Sequence, residues 1–201
     1  MAPFVVLEGV AAPLDKSKVD TDQILPARFL RRPRKEGYGQ YLFRDWMDDP
    51  QFVLNQAPYR EAKILVADRN FGGGSSREQA PWALSDYGIR CVIAADFGDI
   101  FYFNSLKTGV LPVALSAETC ARLRSLLREK PGSSIKIGLP AQTVTGPDGA
   151  TYRFEIDAFR KKCLVEGLDD IGLTLQYEAQ IAAFESRYRQ RFDWLFHGNV
   201  Q

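Results

Sequence analysis

Short apolar, β-branched runs recur along this chain and alternate with segments whose apolar residues stand three and four apart. The runs Phe4–Glu8, Lys63–Ala67, Cys91–Ala95, Val110–Ala114 and Ser134–Ile137 predict strands, and Ser76–Asp86, Ile100–Lys107 and Ala117–Glu129 predict amphipathic helices. Alternation of this kind predicts α/β layering with some parallel pairing. The pattern then changes. Gln142–Thr145, the turn residues GPDG at Gly146–Gly149, and Thr151–Ile156 read as a hairpin, so a β-rich portion is added to the α/β frame. From Leu168 to Phe192 the chain carries Leu175, Ala179, Ala182 and Ala183 on one side and charges elsewhere, which predicts a surface helix over about 168–192, with a mobile tail over 193–201. The segment Arg28–Lys35 is basic, contains Pro33 and reads as a solvated loop. No internal repeat, low-complexity tract or linker interrupts the chain, so one domain over 1–201 is expected.

Composition narrows the function classes. With 201 residues, 45% of them hydrophobic and 12% aromatic, the chain can fill one sizeable core but is short for two. Its 26 basic and 25 acidic residues leave a formal charge of +1, which gives no electrostatic footprint for nucleic acid or an anionic membrane surface. A small-molecule partner fits better. No apolar run approaches the roughly 18 to 20 residues of a membrane span. The apolar start lacks basic residues and is broken by Glu8, against a signal peptide, so a cytoplasmic location is expected. Cys91, Cys120 and Cys163 are scattered, without C-x-x-C spacing, as suits reduced thiols. The lone histidine, His197, is close to the C-terminus, so acid–base chemistry in this chain must do without imidazole.

The candidate chemistry lies in Arg69–Glu78, RNFGGGSSRE. A predicted strand runs into three glycines, and Ser75–Glu78 has the S-x-x-E spacing of a capping box at a helix start. Strand, tight turn and helix N-terminus in that order make an anion site, because glycine lets the backbone approach closely and the first helical amides are free donors. Pro81 falls early in this helix and shifts its expected start toward the C-terminus. A dinucleotide fingerprint would need glycine where Arg77 stands, and the Gly-Lys-Ser/Thr of a P-loop is absent. Arg77 beside free amides and two hydroxyls instead offers a planar fork for a carboxylate. From these residues alone, a polycarboxylate ligand and a glycine turn that only caps a helix both remain open.

The stretch Arg69–Leu84 (RNFGGGSSREQAPWAL) resembles the signature of the 3-isopropylmalate dehydratase small subunits, free-standing counterparts of the aconitase swivel domain. Three further blocks agree in order: Val19–Leu30 (VDTDQILPARFL), Asp96–Val113 (DFGDIFYFNSLKTGVLPV) and Cys163–Leu175 (CLVEGLDDIGLTL). The resemblance implies a swivelling β/β/α domain with a mixed sheet and flanking helices. It also implies a two-subunit hydro-lyase of leucine biosynthesis, in which a large subunit holds a 4Fe-4S cluster and this chain, as heterodimer partner, completes the active site. In this scheme the cluster is the Lewis acid on the leaving hydroxyl, this chain binds no cofactor or metal, and the substrate is a small dicarboxylate. By position, Ser75 takes the role of alkoxide base, Ser76 and Arg77 hold a substrate carboxylate, and the backbone of Gly72, Gly73 and Gly74 shapes the oxyanion loop. Such a base needs a dense field of donors, and side chains at 72 to 74 would push the amides away.

Two positions depart from the family pattern. Cysteine is usual where Gly73 stands and histidine where Gln79 stands, and glutamine cannot titrate. The substrate is therefore open: 2-isopropylmalate and 3-isopropylmalate, or another dicarboxylate such as homoaconitate, citraconate or a substituted maleate. A non-catalytic, partner-binding swivel module is a further alternative. After the DTDQI block, Phe29 and Leu30 suit an isopropyl group, while Arg31 is a candidate substrate contact. Asp20, Thr21 and Asp22 shape a turn, cap the next element or face the cleft, and Lys107 and Thr108 read as structural.

Overall fold

The computed structural model describes residues 1–196, and the chain forms two compact units, Met1–Gly167 and a second from Leu168 onward. Position 197, the histidine, and the rest of the tail lie outside the described residues.

The first unit is built on a sheet of seven strands: β1 (Val6–Pro13), β2 (Ile64–Val66), β3 (Cys91–Ala94), β4 (Leu111–Ala114), β5 (Ser134–Gly138), β6 (Thr143–Thr145) and β7 (Thr151–Arg153), in the order β4-β3-β2-β1-β5-β6-β7. The strands β1 to β4 are parallel, and β1, β5, β6 and β7 pair antiparallel. The mixed sheet is thus the expected α/β frame with its β-rich portion attached. The pivot is β1, whose first half, Val6–Val10, pairs with β5 while Ala11–Pro13 pairs with β2. The predicted strand Phe4–Glu8 falls short of this because the second half of β1 opens on two alanines, which carry little strand signal. Phe4 sits off the ladder as a buried plug, its amide donating to the Leu164 carbonyl at 2.8 Å.

The helices of this unit are α1 (Thr21–Ile24), α2 (Arg44–Met47), α3 (Gln79–Tyr87), α4 (Asp99–Thr108), α5 (Ala117–Glu129) and α6 (Ala158–Glu166), with short 3₁₀ turns between residues 27 and 61. The basic segment at 28–35 is part of that series of turns. In β2 and β3 alternate residues feed opposite cores. Leu65, Val92 and Ala94 join Ala80, Ala83 and Leu84 of α3 on one face, and Ile64, Val66, Cys91 and Ile93 join Cys120, Leu123 and Leu127 of α5 on the other. Burial on both faces is why these strands read as continuous apolar runs instead of alternating ones.

The expected helix at Ser76–Asp86 begins only at Gln79, with Glu78 as N-cap and no side-chain cap. Proline decides this. A start at Ser76 would leave Pro81 in the helix interior, whereas from Gln79 it occupies the first turn, where its missing N–H would have been unpaired anyway.

In the second unit the segment expected as one helix is two, α7 (Asp170–Leu175) and α8 (Glu178–Arg191). Asp169 caps α7 through the Gly172 amide at 2.7 Å, and a glycine and a threonine inside so short a helix give it little propensity to continue. The apolar row on α8 is aromatic: Phe184, Tyr188 and Phe192 follow one another at centroid distances of 5.6 and 4.8 Å. Asp193–Leu195 forms a final 3₁₀ turn. Among the described residues, no helix is long and apolar enough to cross a membrane.

Candidate active site

Three loops leave the carboxyl ends of β1, β2 and β3 and stay in register beyond the strands. The Gly72 amide donates to the Val19 carbonyl at 2.6 Å and the Thr21 amide to the Gly73 carbonyl at 2.9 Å. On the other side the Phe71 amide donates to the Asp96 carbonyl at 3.1 Å and the Gly98 amide to the Phe71 carbonyl at 3.0 Å. The Asp96 side chain accepts from the Asn70 amide at 2.8 Å. Single parallel bridges, Asp20 to Gly73 and Phe71 to Phe97, continue the sheet outward. The glycine loop is thus clamped between the DTDQI and DFGDI segments, in the place where open α/β sheets collect ligands.

Two glycines of the triplet are required, for different reasons, and the third is not. Gly72 has φ +74°, and a Cβ there would fall 2.2 Å from Phe101 Cγ, while Phe101 is itself buried against Phe71. Gly74 has φ +88° with Asp20 Cβ at 3.5 Å, so its need is conformational and not steric. At Gly73 the backbone is ordinary and the nearest atoms, at 3.1 to 3.4 Å, belong to the Asn70 side chain.

The clamp leaves the tip of the loop open. Gly74, Ser75 and Ser76 are exposed, and their amides donate no hydrogen bond within the described residues. Neither serine hydroxyl is engaged there, and the Ser75 carbonyl accepts from the Thr21 hydroxyl at 2.9 Å. Arg77 is different, with its side chain 15% exposed. It donates from Nη1 to Asp22 Oδ1 at 2.6 Å and to the Leu25 carbonyl at 3.2 Å. The Arg77 hydrogen bond holds the Asp22 carboxyl below the usual carboxylate range against the opposing effect of partial burial, and the Ala27 amide adds to the lowering. Gln79 opens α3.

The structure therefore brings Ser75, Ser76 and Arg77 onto one loop tip. Arg31 is exposed and joined to that tip by no hydrogen bond or ion pair among the described residues. Phe29 stacks on Tyr41 at 4.3 Å. Thr21 and Asp22, read from the sequence as turn-shaping or facing the cleft, fix the loop together with Asn70 and Asp96, to which sequence reasoning gave no role. The signal was present in the DTDQI and DFGDI blocks, but the distances that give it meaning span 26 to 55 positions. Thr108 bonds the carbonyls of Asn104 and Ser105 within its own helix, a structural role.

Among the described residues no group of three or more His, Cys, Asp or Glu could hold a metal ion. The three cysteines are buried, on β3, α5 and α6, and burial raises each thiol, that of Cys120 to about 11. They do not fit an iron–sulfur cluster, which needs thiolates converging on one place.

Known proteins share the sequence and the fold of this chain. The family profile described as Aconitase C-terminal domain matches residues 1–118, LeuD_N matches residues 121–158, and the profile for the C-terminal domain of 3-isopropylmalate dehydratase small subunits matches residues 170–198. The 3-isopropylmalate dehydratase small subunit of Leptospira interrogans is 50% identical over 204 residues, covering 98% of this chain and 99% of the relative. The chain belongs to the 3-isopropylmalate dehydratase small-subunit family. A second member of that family, from Xanthobacter autotrophicus, is 52% identical over 201 residues, 97% of this chain and 100% of the relative. The crystal structure of 3-isopropylmalate dehydratase (leuD) from Methanocaldococcus jannaschii has a TM-score of 0.67 at 26% identity, covering 90% of this chain and 99% of that one. The tip carries exposed, unengaged amides at 74 to 76, and Arg77 follows them in the chain. A cavity of ≈ 570 Å³ elsewhere is lined by Glu36, Arg44, Asn55, Asp86 and Tyr87, none of them on the loop.

Proposed function

We infer that this chain is the small subunit of a two-subunit hydro-lyase that interconverts 2-isopropylmalate and 3-isopropylmalate by dehydration and rehydration in leucine biosynthesis. The observation that carries this is near-full-length identity of 50% and 52% to small subunits of 3-isopropylmalate dehydratase. Activity requires the large subunit as partner.

Within that reading Ser75 is the base that takes the proton from the substrate carbon. An ordinary serine hydroxyl cannot do so at neutral pH, and its ionisation draws on the amides of 74 to 76 and the positive charge of Arg77, all of which lie along the same short segment. Ser76 and Arg77 hold one substrate carboxylate, and Arg31, in the loop that follows α1, is a further substrate contact. Gly72 and Gly74 give the loop its shape. We assign the 4Fe-4S cluster to the large subunit, since the thiols of this chain do not converge. An exposed loop tip is an expected property of a half-site, because the partner's surface must exclude water before the amides reach full strength.

Anaerobic reconstitution with the cognate large subunit tests this, following hydration of the unsaturated intermediate by absorbance. The pair turns over and neither subunit does so alone. Ser75→Ala lowers kcat by at least about a hundredfold, the scale of a lost proton-transfer group. An inert pair, or a Ser75→Ala complex at full speed, overturns the reading.

A further inference from the structure

The roles above leave Asp20, Thr21 and Asp22 unused, yet this triplet makes the contacts that hold the loop. Asp20 closes a capping box at α1: its Oδ1 accepts from the amides of Asp22 and Gln23 at 2.9 and 2.7 Å, and Gln23 Oε1 accepts from the Asp20 amide at 3.0 Å. With the turn fixed, the next two side chains have defined targets. Thr21 bonds the Ser75 carbonyl, and Asp22 bonds Arg77.

The details of the second contact matter. A guanidinium carries two hydrogens on each terminal nitrogen and one on Nε. Arg77 Nη1 donates to Asp22 Oδ1 at 2.6 Å and to the Leu25 carbonyl at 3.2 Å, which uses both of its hydrogens. Nη2 and Nε donate to nothing among the described residues. Asp22 Oδ1 is itself tied by the Ala27 amide at 2.7 Å, so the acceptor cannot follow the guanidinium if it swings. Of the guanidinium edges able to grip a carboxylate with two parallel bonds, one remains: Nε with Nη2. Only 15% of the Arg77 side chain is exposed, whereas Asp22 is 57% exposed, so the pair holds a largely buried arginine against a more open carboxylate.

We propose that Asp22 is the positioning residue of Arg77, taking up Nη1 together with the Leu25 carbonyl so that the Nε–Nη2 edge is presented to one carboxylate of the substrate. This rests on the reading that Arg77 holds a substrate carboxylate. Asp22 does not touch the substrate. Its effect is to remove the rotamer freedom that a long arginine stem would otherwise lose on binding.

The test uses the reconstituted two-subunit enzyme with isopropylmalate as substrate. A brace on a binding group acts equally on bound substrate and transition state, so Asp22→Ala raises KM by about tenfold and leaves kcat within about threefold. Asp22→Asn keeps the Oδ1 acceptor and restores KM to within about threefold of the parent. Added to Arg77→Ala, the Asp22→Ala change has no further effect, because the two residues act as one unit. Parent KM in Asp22→Ala, a fall in kcat at unchanged KM, or full additivity with Arg77→Ala each overturns the proposal. If Asp22→Ala fails to pair with the large subunit, Asp22→Glu serves instead: it displaces the guanidinium by one methylene and raises KM several-fold, and parent KM there overturns the proposal equally. Should Arg77→Ala itself leave KM unchanged, the assignment of Arg77 falls first. Should Arg77→Ala raise KM while Asp22→Ala does not, only the positioning role is lost.

Discussion

At the scale of single residues, the triplet of glycines is not one feature. Gly72 combines a left-handed backbone with a Cβ position 2.2 Å from a buried phenylalanine ring, so no side chain fits. Gly73 has neither constraint, and its nearest neighbour is the movable end of Asn70. A cysteine at this position, expected from the family resemblance, is therefore compatible with the backbone seen here. We expect Gly72→Ala to cost at least about 2 kcal/mol, from the disfavoured φ and the overlap with Phe101 together, and to abolish activity of the reconstituted pair. Gly73→Cys should change stability by less than about 1 kcal/mol, since only a flexible side chain must give way. Urea denaturation of the isolated protein measures both, and equal effects at the two positions would contradict the distinction. The loop itself was legible in the sequence because strand, glycines, hydroxyls and arginine are contiguous. The brace on Arg77 was not: Asp22 precedes it by 55 positions, and an acid beside a threonine looks like a helix cap, which is what its neighbour Asp20 is.

Elements follow the same division between local and distant causes. The helix at Ala117–Glu129 has the bounds its spacing predicted, with Ser116 as N-cap accepting from the Thr119 amide at 3.1 Å, because cap and amphipathic stripe are both written locally. The hairpin of β6 and β7 was equally plain, with Gly149 at φ +80° in the GPDG turn. The second half of β1 was hidden, since its identity as a strand comes from β2, some 53 positions on in the Ala11 to Ile64 register, and not from its own alanines. The capping box at Ser75 pointed upstream of the true start, while Pro81, equally local, marked the later start that the helix takes. From a start at Gln79, Pro81 occupies the first turn, so Pro81→Ala brings no gain in stability. A helix running from Ser76 would instead be relieved by about 3 kcal/mol, the cost of an interior proline. The melting temperature of the isolated protein separates the two, and a marked rise would place the helix start upstream.

For the molecule as a whole, the burial of all three thiols in the first unit governs its response to alkaline pH and to thiol reagents. Cys91 lies in β3, Cys120 in α5 and Cys163 in α6, and the three thus sample the central sheet, the helix covering one face and the last helix of the unit. None is more than 6% exposed. Burial raises every one of these thiols, and at Cys120 the nearby Arg124 opposes the rise without cancelling it. A thiol with a raised folded-state value favours the folded chain while it stays protonated. Its contribution is complete below the ordinary thiol value of 9.0 and is lost as pH climbs from there toward about 11 at Cys120, because the unfolded chain ionises first. Stability in urea should accordingly be level across neutral pH and fall between pH 9 and about 11, and Cys120→Ser should reduce the slope of that fall at the cost of a lower plateau. At pH 8 the folded protein should leave a disulfide reagent unconsumed. If Met1–Gly167 unfolds as one cooperative body, all three thiols become reactive together, at the denaturant concentration where circular dichroism is lost. Earlier reaction of Cys163 alone would mean that α6 opens separately, a result incompatible with the Leu164 carbonyl pinning the Phe4 amide ahead of β1 until global unfolding.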